Sequence, residues 1–210
     1  ARSLAALTNA PTLVSGLTYQ IDFNGVDAAG NAATQVSVTG IFFDTTVPAD
    51  FTVGSVITTG GTVTAGKWNS TNTDIAVTVL LPSDITLIDG TLLIRAKVAS
   101  GEYEDLGSAQ TISSGEQGTN KTVSFDASTF EALSSGISDG ESILFKAILT
   151  DKAGNATTGT ESGTSIAFDQ SVPAFSSVTP SSNSSVKVAD VGYTLSETIT
   201  SGTVKYTQTA

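Results

Sequence analysis

The sequence has no cysteine, no histidine and no methionine, and only nine lysines and arginines against 20 aspartates and glutamates, for a formal charge of −11. Each absence removes a class of chemistry. Without His or Cys there is no Ser-His-Asp triad, no thiolate nucleophile, no imidazole proton shuttle and no ordinary zinc or copper site. Nine scattered cations make no basic stripe, so nucleic acid is not expected as a partner. No apolar run approaches the 18 residues or so of a membrane-spanning helix, so no membrane insertion is expected. Residues 1–10 lack the charged-then-apolar plan of a signal peptide, and with no Met even at position 1 the chain reads as processed or as an excerpt of a longer one.

What is present points to short strands. The chain holds 33 Thr and 27 Ser, about 29% of its 210 residues, and 20 Gly, a composition that favours β-structure and turns over helices. At 39% hydrophobic and 14% charged it can bury a core of one or two domains. An acidic, thiol-free, hydroxyl-rich surface suits the cell exterior, as a cell-surface or secreted fibre protein. Stability there has to come from packing or bound ions, because disulfides are excluded.

An internal repeat organises the chain. Residues 19–48, YQIDFNGVDAAGNAATQVSVTGIFFDTTVP, are matched by 143–173, ILFKAILTDKAGNATTGTESGTSIAFDQSVP. Asp27 matches Asp151 at an offset of 124, whereas Pro48 matches Pro173 at 125, so one residue is inserted between the two points. Phe51 answers Phe175 beyond the proline. Each FD-x-x-VP reads as a linker, since Pro cannot join a sheet ladder and forces its predecessor extended. The chain therefore divides into 1–48, the second half of a repeat; 49–173, a complete one; and 174–210, the first half of the next.

Local periodicity is two. Leu92, Ile94, Ala96 and Val98 alternate with Leu93, Arg95 and Lys97, and Ile143, Phe145, Ala147 and Leu149 with Leu144, Lys146 and Ile148, the signature of strands with one buried face. Tyr19, Ile21 and Phe23 form the inward face of the equivalent strand in the first half-repeat. Further strands are expected at 51–58, 75–81, 121–125 and 163–168, with turns at Asp89-Gly90 and Asp139-Gly140 and one helical turn within 128–133. Six or seven such strands predict an all-β antiparallel sandwich.

The most informative motif is D-x-A-G-N, at Asp27 to Asn31 and Asp151 to Asn155, each followed 13 or 14 residues later by a linker aspartate, Asp44 or Asp169. Two readings stand. The motif is a tight turn, since Asp and Asn make side-chain turns and Gly supplies a positive φ. Alternatively it is a calcium site, since Ca²⁺ takes six to eight oxygens from carboxylates, amides and carbonyls. If the motif joins the last two strands of a sandwich, Asp151 and Asn155 face Asp44 and Asp50 of the preceding linker, not Asp169. Asp27 and Asn31 then face an earlier linker, and Asp169 whatever follows.

These motifs, in the order Y-x-x-x-F, D-A-A-G-N and F-D-T-T-x-P over Tyr19 to Pro48, resemble the bacterial Ig-like repeats of large extracellular adhesins and surface fibres. Tyr193 to Thr203 resembles the first half of such a repeat, residues 7–16 the entry to its second half, and Trp68 to Thr73 a sister repeat type. The resemblance implies tandem Ig-like antiparallel β-sandwiches, one complete and two terminal half-domains, with calcium stiffening the junctions. The aspartates it associates with calcium fall on Asp27, Asp44, Asp151 and Asp169. At 169–173 the usual D-T-T-x-P is D-Q-S-V-P.

Other constellations are weaker. Ser184 and Lys187 have a Ser-Lys spacing without a partner motif. Acidic clusters at Glu102, Glu104, Asp105 and Glu116, or at Asp139 and Glu141, read as solvated loops more readily than as a glycosidase pair. Trp68 and Tyr103 are either core packing or a sugar platform. No enzymatic activity is expected. Two half-sandwiches would each leave apolar faces and strand edges open, which covalent neighbours or head-to-tail strand exchange with copies of itself would close, in either case as a filament. The alternative function is a glycan- or surface-binding adhesion module.

Overall fold

The computed structural model describes residues 11–134, 136–188 and 190–208, and they are almost wholly β. The chain divides into two compact units after Asp169. The first opens with an antiparallel hairpin of β1 (Leu17–Phe23) and β2 (Val36–Phe43). It continues through β3 (Val53–Thr59), β4 (Lys67–Trp68), β5 (Asp74–Leu80), β6 (Thr91–Val98), β7 (Glu104–Asp105), β8 (Gln110–Thr111) and β9 (Asn120–Asp126). The five-residue helix α1 (Ala127–Glu131) follows, and then β10 (Ser142–Thr150), β11 (Ala156–Thr158) and β12 (Ile166–Phe168).

Strands β3 to β12 make two sheets about one core, apart from the β1-β2 pair. One has the order β3-β5-β9 and the other β4-β12-β10-β6-β7, with β11 beside β10 and β8 beside β6. The period-two segments sit where the sequence puts them. Leu92, Ile94, Ala96 and Val98 of β6 and Ile143, Phe145, Ala147 and Leu149 of β10 turn inward. They meet Val53, Val56, Ile75, Val77 and Val79 of the other sheet in one cluster. Burial of each large side chain there stabilises the fold by roughly 1.5–3 kcal/mol.

Three details differ from the sequence reading. Residues 163–168 are not one strand: β12 begins at Ile166. The helical turn lies at Ala127–Glu131, started by Asp126, whose carboxylate accepts the Thr129 amide at 2.7 Å; such a cap fixes the start of a helix more firmly than propensity does. The strand ladders are antiparallel except for one short pair, Ala167↔Lys67 and Phe168↔Trp68, made because the chain crosses from β3 in one sheet to β4 in the other, and a further parallel bridge joins Thr52 to Thr160.

The second unit contains β13 (Phe175–Thr179) and β14 (Gly192–Leu195), a two-stranded antiparallel pair with a bulge between Ser176 and Thr179. Phe175 packs edge-on against Tyr193 with ring centroids 5.2 Å apart.

The repeat extends to the hydrogen-bond ladder. β1 pairs with β2 through Thr18↔Phe42, Tyr19↔Ile41 and Ile21↔Val38. At the equivalent places Ser142 pairs with Ala167 and Ile143 with Ile166, and the Ser162 amide donates to the Phe145 carbonyl at 2.8 Å. The closing bonds agree too: Gly16 N–H to the Phe43 carbonyl and Gly140 N–H to the Phe168 carbonyl, both 2.8 Å. The extra residue of the longer copy therefore lies between Ser162 and Ile166, opposite the place where the shorter copy has its register shift, between Tyr19 and Ile21. A bulge absorbs a residue without turning the flanking side chains to the wrong face.

Candidate functional site

Both D-x-A-G-N loops are closed by the same bonds. In the first, the Asp27 carboxylate accepts the Asn31 amide N–H at 2.8 Å on Oδ1 and Asn31 Nδ2 at 2.8 Å on Oδ2. In the second, Asp151 accepts the Asn155 N–H and Nδ2, each at 2.9 Å. Backbone bonds complete each ring, from Gly30 N–H to the Asp27 carbonyl and from Gly154 N–H to the Asp151 carbonyl. The glycines are required, since Gly30 stands at φ +92 and Gly154 at φ +96, where a side chain is disfavoured. The Asn31 bonds hold the Asp27 carboxyl below the ordinary aspartate value.

Their surroundings differ. Asp151 is buried at 3% exposure, whereas Asp27 and Asn31 are exposed. The cover over the second loop is the linker between β2 and β3. Asn155 Nδ2 donates to the Asp44 carbonyl at 3.2 Å, and Thr157 Oγ1 to the Pro48 carbonyl at 2.6 Å; Pro48 is itself buried. Asp44 is fastened in turn, its Oδ1 accepting the Thr46 amide at 2.9 Å and the Ser15 hydroxyl at 3.1 Å. Its other oxygen, Oδ2, is buried without a hydrogen-bond partner. A hollow of about 540 Å³ opens beside it, lined by Gly40, Phe42, Ile85, Thr86 and Lys152.

Of the aspartates and asparagines singled out by sequence, Asp44, Asp151 and Asn155 thus come together. Asp50 is exposed and borders a separate groove with Phe51 and Leu81. Asp169 is exposed, with its amide donating to the Trp68 carbonyl at 2.9 Å. Among the described residues no three acidic, His or Cys side chains converge, so a cation at Asp44 would draw on carbonyl and amide oxygens as well.

The remaining candidates resolve into structure. Trp68 has no exposed surface; its ring lies 4.7 Å from that of Phe130 and its Nε1 donates to Glu131 Oε1 at 2.8 Å. It is core, not a sugar platform. Ser184 donates to the Ser181 carbonyl within a turn, and Glu116 is ion-paired with Lys121 at 2.7 Å.

One cluster escaped the sequence reading. On the outer face of β6 and β10, the ring of Tyr103 lies beneath both Lys97 Nζ at 4.9 Å and Lys146 Nζ at 4.8 Å. Its hydroxyl donates to Glu161, and Arg95 bonds both its carbonyl and Asp105. Burial, then the bond to Glu161 and its negative charge, push the Tyr103 hydroxyl above the usual phenol range, while the Tyr103 bond is the main cause of a lowered Glu161. The signal was the outward run Arg95, Lys97 with Lys146 opposite Arg95 in the ladder. Two ammonium groups over one ring brace the sheet face.

No protein-family model matches the chain, and a search of curated proteins finds no significant match.

Proposed function

We propose that this chain is a structural, non-enzymatic repeat of an extracellular bacterial adhesin or fibre, built of Ig-like β-sandwiches joined head to tail into a filament. One observation carries the reading: the hairpin of β1 and β2 and the hairpin of β10 with β11 and β12 share sequence, ladder register and loop bonds. A building block used twice in one chain, once inside a complete core and once outside it, is what a tandem array requires. Its function is reach and mechanical continuity. A periodic filament with a repeat close to the length of one complete plus one composite sandwich, seen by electron microscopy of the native material, supports this; isolated globular particles at all concentrations overturn it.

At the junction, calcium fits the donors in part. Asp44 Oδ2 is buried and unpartnered, the Asp44 carbonyl already meets Asn155 of the loop, and oxygen donors suit a hard cation. The Asn155 amide now turns its nitrogen toward Asp44 and Asp151 and has to turn over to offer Oδ1. Asp44, Asp151 and Asn155 would hold the ion, and Asp27, Asn31 and Asp169 would serve neighbouring junctions. A chelator should lower the melting temperature of the protein, and Asp151→Ala should abolish that dependence. An unchanged melting temperature in chelator removes calcium from the proposal. The alternative, in which loops of residues 49–173 grip a glycan or surface, cannot use the ring of Trp68, which is buried; a glycan array without a hit removes it.

A further inference from the structure

We infer that the C-terminal segment of a second copy of this chain, residues 203–208, adds as a strand to the free edge of β1, and that β13 and β14 of that copy cover the apolar face beneath. The inference rests on the head-to-tail reading and gives it a partner and a register.

The complete unit supplies the template. There β10 has β12 and β11 on one side and β6 on the other, paired from Ile143↔Val98 to Thr150↔Thr91. The equivalent strand, β1, has β2 on the first side, and among the described residues the sheet ends there. What β1 lacks is a counterpart of β6. Strand β6 is introduced by Gly90-Thr91-Leu92, and the chain has the same pattern at Gly61-Thr62-Val63, just before β4, and at Gly202-Thr203-Val204, where no described strand follows. Residues 203–208 belong to no strand, yet residues 203–207 alternate polar and apolar, with Val204 and Tyr206 56% and 61% exposed; Gln208 breaks the alternation where β6 has Ala96. Val204 and Tyr206 correspond in order to Leu92 and Ile94, both fully buried in the complete unit.

The rest of the second unit follows the same template. β13 and β14 pair Phe175 with Leu195 and carry a bulge three residues into the first strand. β3 and β5 carry theirs between Val53 and Val56, and their register, continued two residues past Val53↔Val79, sets Phe51 opposite Leu81. β1 meanwhile leaves Ile21 46% and Phe23 56% exposed where Phe145 and Ala147 are sealed. An edge and a face left open together invite strand addition.

Transferring the β6–β10 register sets Val204 opposite Gly25 and Tyr206 opposite Phe23, facing inward, and Lys205 opposite Asn24, facing out. Charge agrees with this. Residues 11–48 hold Asp22, Asp27 and Asp44 and no lysine or arginine, so Lys205 enters an acidic surface, with Asp22 as a diagonal neighbour on the same face. Because the donor and acceptor surfaces of one chain differ, the contact is heterologous and propagates.

The absence of native cysteine makes the test clean. Asn24→Cys and Lys205→Cys are made separately in the full chain, at two outward positions, and mixed under mild oxidation. Directly opposed residues of an antiparallel pair lie within disulfide reach. The expected result is a covalent heterodimer forming at least about tenfold faster than from Lys205→Cys mixed with Ser37→Cys, one strand further away on the same face. Equal rates for the two mixtures, or no heterodimer in either, overturn the inference, as does closure found only within single chains carrying both Asn24→Cys and Lys205→Cys. Native filaments that persist when no cross-link forms would leave the repeat reading intact and remove the exchange alone.

Discussion

The hairpin at residues 17–43 and the one at 142–168 are near-copies with opposite fates. In both, an aspartate and an asparagine close a five-residue loop with the same bonds. In the second, Ile143, Phe145, Ala147 and Leu149 are fully buried and Asp151 is nearly so; in the first, Ile21, Phe23 and the loop are exposed. The local sequence therefore suffices for loop and ladder, and burial is added by other parts of the chain: a facing sheet for the strand, and the linker at Asp44 and Pro48 for the loop. The loop is an autonomous turn whose carboxylate becomes a buried group only when a preceding linker arrives.

The largest test of that contrast is a pair of truncations. Phe145→Ala should destabilise the first unit by about 3–5 kcal/mol in denaturant titration, whereas Ile21→Ala at the matching position should change stability by less than about 0.5 kcal/mol under conditions where the protein is monomeric. Comparable losses would mean that the first hairpin is covered in solution. Next comes Asp151→Ala, which leaves the Asn155 donors without their buried acceptor and should cost about 1–3 kcal/mol. Asp27→Ala should cost clearly less, because water replaces the lost acceptor.

Acid gives a smaller, local effect. Since the Asp27 carboxyl titrates below the ordinary aspartate value in the folded loop, its ionised form stabilises the loop fully above that ordinary value, and the contribution is lost as the pH falls through the lowered one. Carboxyl titration by NMR should show the depressed midpoint, and Asn31→Ala should raise it. A midpoint unmoved by Asn31→Ala would detach the shift from the loop bonds. The smallest change should come from Lys152→Ala, which removes an exposed ion pair with Asp89 at 2.7 Å and makes the second loop read D-A-A-G-N like the first. Such pairs contribute at most a few tenths of a kcal/mol, so melting curves should nearly superimpose.

How much of this could be read in the sequence depended on the range of the interactions. β6 and β10 were legible because alternation records which face is buried, and the D-x-A-G-N turn because its bonds run within five residues. The meeting of Asn155 with Asp44 followed from topology alone. The two-residue strands β4, β7 and β8 were not legible, since nothing in Lys67-Trp68 or Glu104-Asp105 distinguishes a strand from a loop until a partner is beside it. The environment of Trp68 depends on Glu131, 63 residues away, and the Tyr103 brace joins side chains from β6 and β10 with Glu161 beyond β11. No local pattern encodes either. The contacts that tie the linker to the second loop were not legible either, since they use the backbone carbonyls of Asp44 and Pro48, which motif spacing does not indicate.

The single extra residue between Ser162 and Ile166 bears on how such a chain can diverge. A strand read two residues at a time tolerates no odd change in length, because every side chain beyond it would exchange inside for outside. Placed at the register shift, the same change is silent: Phe168 still meets the loop at Gly140 as Phe43 meets Gly16. A lineage of these segments can therefore gain or lose single residues at that one position while each inherited pattern of inside and outside remains correct.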